Sequence, residues 1–335
     1  MTIAERPVLV APDSFKGTFS AAQVAGAIGR GLERAGLLPP DLCPVADGGE
    51  GTLDVLLPQL GGELIGVEVQ GPLGKPVRTG FGLVEDGGTA IVEMAMASGL
   101  GLVDEAERDA WAASTYGTGQ LIAAAAQAGA EVILVAVGGS ATTDGGAGAL
   151  QAIEDAGGIG RAKIVVLCDV RTPFEDAPRV FGPQKGADPE MVKRLERRLD
   201  EFAQTLPKDP RGVPMTGCAG GLSGGLWAAL GAKLEPGAPF VLEALDFDER
   251  MKTSRAVVTG EGRLDEQTLQ GKLVGEIGTR ARQAGVPLHA IVGQDAMDPF
   301  LKRIIDLQMV QEATTLEELE AAGERLGEAL ATGRA

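Results

Sequence analysis

A chain of 335 residues with 47 acidic against 30 basic side chains has a net charge of −17, which argues against nucleic acid or an anionic membrane as partner. Hydrophobic residues make up 44% and aromatic residues 4%, so the chain can bury cores of Ala, Val, Leu and Ile, and its length suggests two domains. Cys43, Cys168 and Cys218 form neither a zinc pattern nor a disulfide framework, which points to the cytoplasm, and the single histidine, His289, excludes most His-dependent triads and His-rich metal sites.

The first apolar run is too short for a signal peptide and leads straight to Asp13. Residues 7–11 predict a strand, and Ser20 with Gln23 predicts a capping box ahead of a helix over 21–35. Asp13, Ser14 and Lys16 therefore lie in the loop beyond a strand's carboxyl end, where open α/β sheets bind ligands. A second short strand, 42–46, runs into DGGEGT and places Asp47 and Glu50 around two glycines before a helix over 53–60. Such carboxylates suit a cation, a substrate hydroxyl or a helix cap. From 63 to 99 the pattern alternates, with turns at GPLGKP and EDGG; it reads as antiparallel ribbon opening a second domain inserted into the first.

Residues 114–127 read as a polar loop entering an Ala-rich helix rather than a membrane span. A buried strand over 132–137 follows, then a glycine loop, then Ala147, Leu150 and Ile153 at helical spacing. In that loop Gly138 and Gly139 admit a ligand close to the backbone, Gly145, Gly146 and Gly148 let a helix start tight against the sheet, and Ser140, Thr142 and Thr143 add hydroxyls. Asp144 can cap the helix or hold a cation. The loop matches neither the P-loop nor the spaced dinucleotide fingerprint, so it reads equally as a phosphate cradle or as close packing.

The strand KIVVLC ends at Asp169, placed to act as proton acceptor, Mg²⁺ ligand or turn cap. FGPQKGA sets Gln184 and Lys185 between glycines; 191–206 is an amphipathic helix with a solvated charged face; 217–231 is glycine-dense. A strand over 255–259 leads to Glu261, Arg263, Asp265 and Lys272. A helix over Leu273–Ala284, a strand over 286–292 holding His289, and a last helix capped by Thr315 and Glu318 complete the β–α alternation. Several predicted strands thus end at acidic or glycine-rich loops, which argues for a shared cleft lined by carboxylates, hydroxyls and the cations Lys16, Lys185, Arg263 and Lys272. That set suits phosphoryl transfer, where positioning and charge neutralisation do most of the catalysis.

The stretches APDSFKG, PVADGGEGT, GPLG, EMAMASGL, STYGTG, GGSATTDGGAGA, CDV, FGPQKGA, GAKLEPG and TGEGRLDEQT run in order from Ala11 to Thr268. Together they resemble the bacterial glycerate kinase family, of the glycerate 2-kinase type. The resemblance implies ATP-dependent phosphorylation of D-glycerate, 2-phosphoglycerate favoured over 3-phosphoglycerate, with Mg²⁺. It also implies an α/β fold of two α/β domains: a Rossmann-like parallel sheet assembled from both chain ends, here drawn as 1–66 and 247–335, and an inserted mixed α/β domain, 67–246. On this reading Lys16, Asp47, Asp169 and Asp265 are the expected catalytic residues, and Asp13, Ser14, Lys185 and Arg263 bind substrate. Gly138, Gly139, Ser140, Thr143, Gly145 and Gly146 take the ATP phosphates, and Asp144 and Asp169 the Mg²⁺. Thr143 stands where the family usually has Asn, and Thr172-Pro173 where an Asn-Pro pair is common. An NAD-dependent dehydrogenase of a small hydroxy acid is the alternative; the missing fingerprint and the lack of a catalytic His stand against it. A two-lobed binding protein is a second rival, and ATP turnover would exclude it.

Overall fold

The computed structural model describes residues 5–84, 87–269 and 273–333; Lys272 and part of the EDGG turn lie outside the described residues. The chain divides into two compact units, 1–47 with 238–335, and 48–237. The sequence reading drew the joints at 66/67 and 246/247.

The first unit opens with β1 (Val8–Pro12), α1 (Ala21–Arg34) and β2 (Asp41–Leu42). Every residue of β1 is buried, as its apolar run predicts for a strand covered on both faces. The Ser20–Gln23 capping box forms as expected: the Gln23 N–H donates to the Ser20 hydroxyl and the Ser20 N–H to the Gln23 side chain. β2 is shorter than the five residues expected. Beyond Leu42 the chain still donates to β1 at alternate residues, from Cys43 to Val10 and from Val45 to Pro12, and the missing N–H of Pro44 falls on the outer edge of the sheet.

The second unit contains α2 (Thr52–Leu60), β3 (Gly62–Gln70), β4 (Pro76–Val84), β5 (Thr89–Glu93), α3 (Ala95–Ser98), α4 (Tyr116–Gln127), β6 (Val132–Ala136), α5 (Ala147–Asp155), β7 (Lys163–Cys168), α6 (Ala177–Phe181), α7 (Pro189–Ala203), α8 (Leu222–Leu230) and β8 (Lys233–Pro236). Its sheet has the order β3-β4-β5-β6-β7-β8. The ribbon expected over 63–99 is antiparallel through β3, β4 and β5, and β5 then pairs parallel with β6, which begins the parallel half through β8. Apolar residues of α4, α5 and α8 close over these strands in one core that includes Leu121, Ile153, Leu222 and Val135.

The chain returns to the first unit as α9 (Gly237–Ala244), α10 (Phe247–Lys252), β9 (Ala256–Gly260), β10 (Arg263–Leu264), α11 (Leu273–Ala284), β11 (Leu288–Val292), β12 (Gln294–Asp295), α12 (Pro299–Ile304), β13 (Leu307–Glu312) and α13 (Leu316–Ala331). The sheet order is β13-β11-β9-β1-β2, and every pairing is parallel. Both chain ends therefore build one Rossmann-like sheet. From β1 the chain moves outward to β2, whereas β9, β11 and β13 move outward the other way. The order reverses between β1 and β9, and α1 and α13 cover one face while Val274 of α11 packs on the other. A crevice opens at such a reversal, outside the carboxyl ends of the strands.

Candidate active site

The crevice is occupied by a pocket of about 500 Å³ in the first unit, whose lining includes Asp13, Ser14, Lys16, Asp47, Glu261, Arg263 and Asp265. β1 delivers Asp13, whose N–H continues the ladder by donating to the Gly260 carbonyl at 2.8 Å. The turn after it doubles back between Phe15 and Phe19, which exchange backbone hydrogen bonds, and Gly17 takes a positive φ of 78° at its tip. That turn holds Lys16 outward, with its Nζ 3.2 Å from the buried Asp47 carboxylate. From β9 and β10 come Glu261, which accepts from the Thr268 hydroxyl at 2.7 Å, and Arg263, whose Nε lies 3.4 Å from Asp265.

Asp13 is the electrostatic outlier. It is 6% exposed, and burial first, then the Asp47 carboxylate, push its pKa up to about 8, against the opposing pull of Lys16 and of the Ser14 N–H at 2.6 Å. Burial disfavours the charged form, and a second carboxylate nearby disfavours it again. A carboxyl that gives and takes a proton near neutral pH, with two cations in reach of the same pocket, can accept a proton from a hydroxyl of an anionic substrate.

The pocket brings together six of the expected residues: Asp13, Ser14, Lys16, Asp47, Arg263 and Asp265. It adds Gln294 and Thr314, which sequence reasoning missed because each is one ordinary polar residue at a strand end.

The remaining expected residues lie in the second unit. There the loop after β6 is mostly buried, and protein fills the space beside most of its glycines. A Cβ on Gly138 would stand 2.6 Å from the Gly49 Cα, one on Gly145 2.8 Å from the Phe202 ring, and one on Gly146 3.2 Å from Leu222. Gly139, with φ +67°, is the exposed residue of the turn. Ser140, Thr142 and Thr143 are buried, and the Thr142 and Thr143 hydroxyls have no hydrogen-bond partner among the described residues.

Asp144 works as a cap rather than an open ligand. Its two oxygens accept from the Thr115 N–H and hydroxyl, both at 2.8 Å, and from the Gly146 and Gly148 N–H groups, at 3.1 and 3.2 Å. One carboxylate thus ties the starts of α4 and α5 together. Lys185, expected on the substrate, is 1% exposed and donates to the Thr142 carbonyl at 2.5 Å. Burial lowers its pKa to about 7, against the pull of Asp144 and Asp169. Asp169 follows β7 as the strand pattern requires and is half-buried. Among the described residues no three His, Cys, Asp or Glu side chains stand close enough to hold a metal ion. Nor is any helix among them long and apolar enough to cross a membrane.

The sequence profile of the glycerate kinase family matches residues 8–156 and 156–332. The chain belongs to the glycerate kinase family. It is 41% identical over 324 residues to a glycerate kinase of Halalkalibacterium halodurans, covering 85% of each chain. It is 39% identical over 325 residues to the glycerate 2-kinase of Escherichia coli, covering 85% of this chain and 84% of that one. A crystal structure from Salmonella typhimurium LT2, assigned to glycerate kinase 2, superposes with a TM-score of 0.81 at 34% identity over 98% of this chain and 99% of that one. Family membership makes the protein a kinase, and the dehydrogenase alternative finds no support among these relatives.

Proposed function

We propose that the protein transfers the γ-phosphoryl group of ATP to a hydroxyl of D-glycerate, with 2-phosphoglycerate the favoured product. The observation that carries this reading is the buried Asp13 carboxyl at the β1/β9 reversal, in a pocket that also holds Lys16 and Arg263. The names of the relatives support it: they are glycerate kinases, one of them a glycerate 2-kinase.

On this proposal Arg263 and Lys16 take the glycerate carboxylate, the planar guanidinium by a two-point contact. Asp13, whose pKa the Asp47 carboxylate helps to raise, accepts the hydroxyl proton. Asp265 orients Arg263 through their contact. The ATP phosphates are assigned to the second unit's glycine loop, at Gly139 and Ser140, with Gly138, Thr143, Gly145 and Gly146 shaping the turn. Asp169 at the end of β7 is the proposed contact for the metal that ATP carries. Mg²⁺ then enters with its nucleotide as part of the substrate, since it needs only one or two protein carboxylates beside the phosphates and water. Asp144, saturated by four donors, is left as a cap. A cytoplasmic location is proposed from three buried free cysteines and the absence of a disulfide framework.

The test incubates the protein with ATP, Mg²⁺ and D-glycerate and identifies the product by NMR. ATP consumption that depends on both D-glycerate and the divalent ion, with a phosphorus coupling to the C2 proton of the product, is the expected result. Equal turnover of glycerol would remove the carboxylate clamp from the proposal, and reduction of NAD in place of ATP use would replace the reaction class.

A further inference from the structure

The second unit holds a buried carboxylate with no place in the reaction so far. Glu93 ends β5 and is 5% exposed. Its two oxygens accept from backbone N–H groups 40 residues and more away in the chain: Gly51 at 2.9 Å and Leu53 at 3.2 Å. These are orphan donors at the start of α2. The residue at the N-cap position is Gly51, in the left-handed region with φ +91°, and it has no side chain to cap with. Glu93 supplies from a neighbouring strand the cap that the helix lacks.

What this cap fixes is the turn from Gly48 to Gly51. The Gly48 carbonyl accepts from the Val137 N–H at 3.2 Å, and the Gly49 carbonyl accepts from the Thr52 hydroxyl at 2.7 Å. Gly49 lies against Gly138, and the Glu50 carboxylate lies beside Gly139, where its Oε2 is 3.0 Å from the place a Cβ would occupy. Glu50 and Gly139 are both exposed. The turn after β6 proposed above for the phosphates therefore carries a carboxylate at its side, and Glu93 sets that carboxylate's position from behind.

We infer that Glu93 is a positioning residue for the phosphoryl transfer: it holds the Gly48–Gly51 turn and, through it, the Glu50 carboxylate against the exposed glycine turn at Gly139. This rests on the proposed reaction. The charged groups facing Glu93 are Asp54 on α2 and Glu50 itself. Burial first, and then these two carboxylates, raise its pKa to about 7, although the Gly51 and Leu53 N–H groups pull the other way. The positioning is thus strongest above neutral pH, where both oxygens accept, and weakens as the pH falls. Stability responds in the opposite sense. The folded pKa lies above the ordinary 4.5, so this group's contribution is largest at low pH and is lost as the pH rises through about 7.

The test compares wild type with Glu93→Gln and Glu93→Asp. Gln keeps the size, can accept from one N–H and cannot ionise; Asp keeps the charge but is one methylene too short. Measurements are kcat, KM for ATP and D-glycerate, and melting temperature across pH 5.5 to 8.5, with amide exchange at Gly51 and Leu53. At pH 8 Glu93→Gln should lose about tenfold in kcat, with either KM changed less than about threefold, while melting no lower than wild type. The limb of the wild-type kcat profile near pH 7 should flatten in this variant. Glu93→Asp should not restore the rate, and both variants should exchange faster at Leu53. A Glu93→Gln enzyme with wild-type kcat and an unchanged pH profile, or a rate loss that merely follows a lower melting temperature, overturns the inference. If wild type itself does not turn over D-glycerate, the reaction proposal has failed. Amide exchange then still judges the cap: wild-type exchange at Leu53 in both variants would refute it.

Discussion

Asp13 shows how position in the chain translates into chemistry. An aspartate one residue beyond a fully buried strand cannot avoid the carboxyl edge of the sheet, and the sequence showed that much. Its second property, a pKa near 8, comes from burial first, then from Asp47, 34 residues later, and least from Glu261 across the reversal, and no local pattern announces such company. Asp13→Asn keeps an acceptor for the Ser14 N–H and removes the charge. Its kcat should fall by about 10²-fold or more, and the rise of wild-type kcat/KM toward pH 8 should disappear. Because the folded pKa is raised from 3.8, Asp13 contributes stability at low pH that is lost as the pH rises to about 8, so the variant should melt no lower than wild type at pH 8. An Asp13→Asn protein that keeps its rate and melts lower would make Asp13 structural. Lys185 makes the opposite case. A lysine between glycines reads as a mobile cation, whereas the chain folds over it and leaves it the Thr142 carbonyl. Lys185→Met should therefore leave the D-glycerate KM within about twofold of wild type, where loss of a carboxylate ligand would raise it much further.

Elements were more legible than the residues they carry. Apolar β-branched runs gave β1, β6, β7 and β9 within a residue or two, because buried parallel strands need little else. β2 fell short of the five residues expected, although its bonds to β1 run on through Cys43 and Val45, and Glu93 went unnoticed because a glutamate after TAIV reads as a strand's wet end. The sequence pattern located the last helix but not its packing on α1. The two helices meet through glycines: a Cβ on Gly31 would stand 2.0 Å from the Glu320 carbonyl oxygen, and one on Gly323 2.4 Å from that of Ile28. Backbone cannot yield as a flexible side chain can. Gly31→Ala should cost about 2 kcal/mol or more by urea denaturation, despite alanine's better helix propensity. Gly26→Ala, on the same helix with only the Arg30 side chain nearby, should be neutral or stabilising by a few tenths of a kcal/mol. Equal effects at the two sites would mean that α1 and α13 do not approach so closely.

On the scale of the whole molecule, the fold was readable because local pattern and topology agree, while the titration behaviour depends on burial that only the assembled structure creates. Asp13 and Glu93 take up protons on folding, since burial raises both pKa values, to about 8 and about 7. His289 does the reverse. It is fully buried in β11, paired in register with Val258 of the apolar cluster under α1 and α13, and neither ring nitrogen has a hydrogen-bond partner among the described residues. Burial lowers its pKa to about 4. The folded state therefore binds fewer protons at this site than the unfolded chain between about pH 4 and 6.5, so its contribution to stability is lost as the pH falls through that window. The ring also loses its hydration without compensation at any pH, a cost that an apolar side chain of similar size avoids. His289→Leu should then stabilise the protein by about 1 kcal/mol at pH 8, where the imidazole is neutral in both states. At pH 5 the gain should be about 2 kcal/mol larger, because the unfolded wild type takes up a proton that the folded state refuses. Urea denaturation of both proteins at the two pH values measures this directly. A gain that is the same at pH 5 and pH 8 would show that the buried imidazole titrates as it does in the unfolded chain and has found polar company in the core of the sheet.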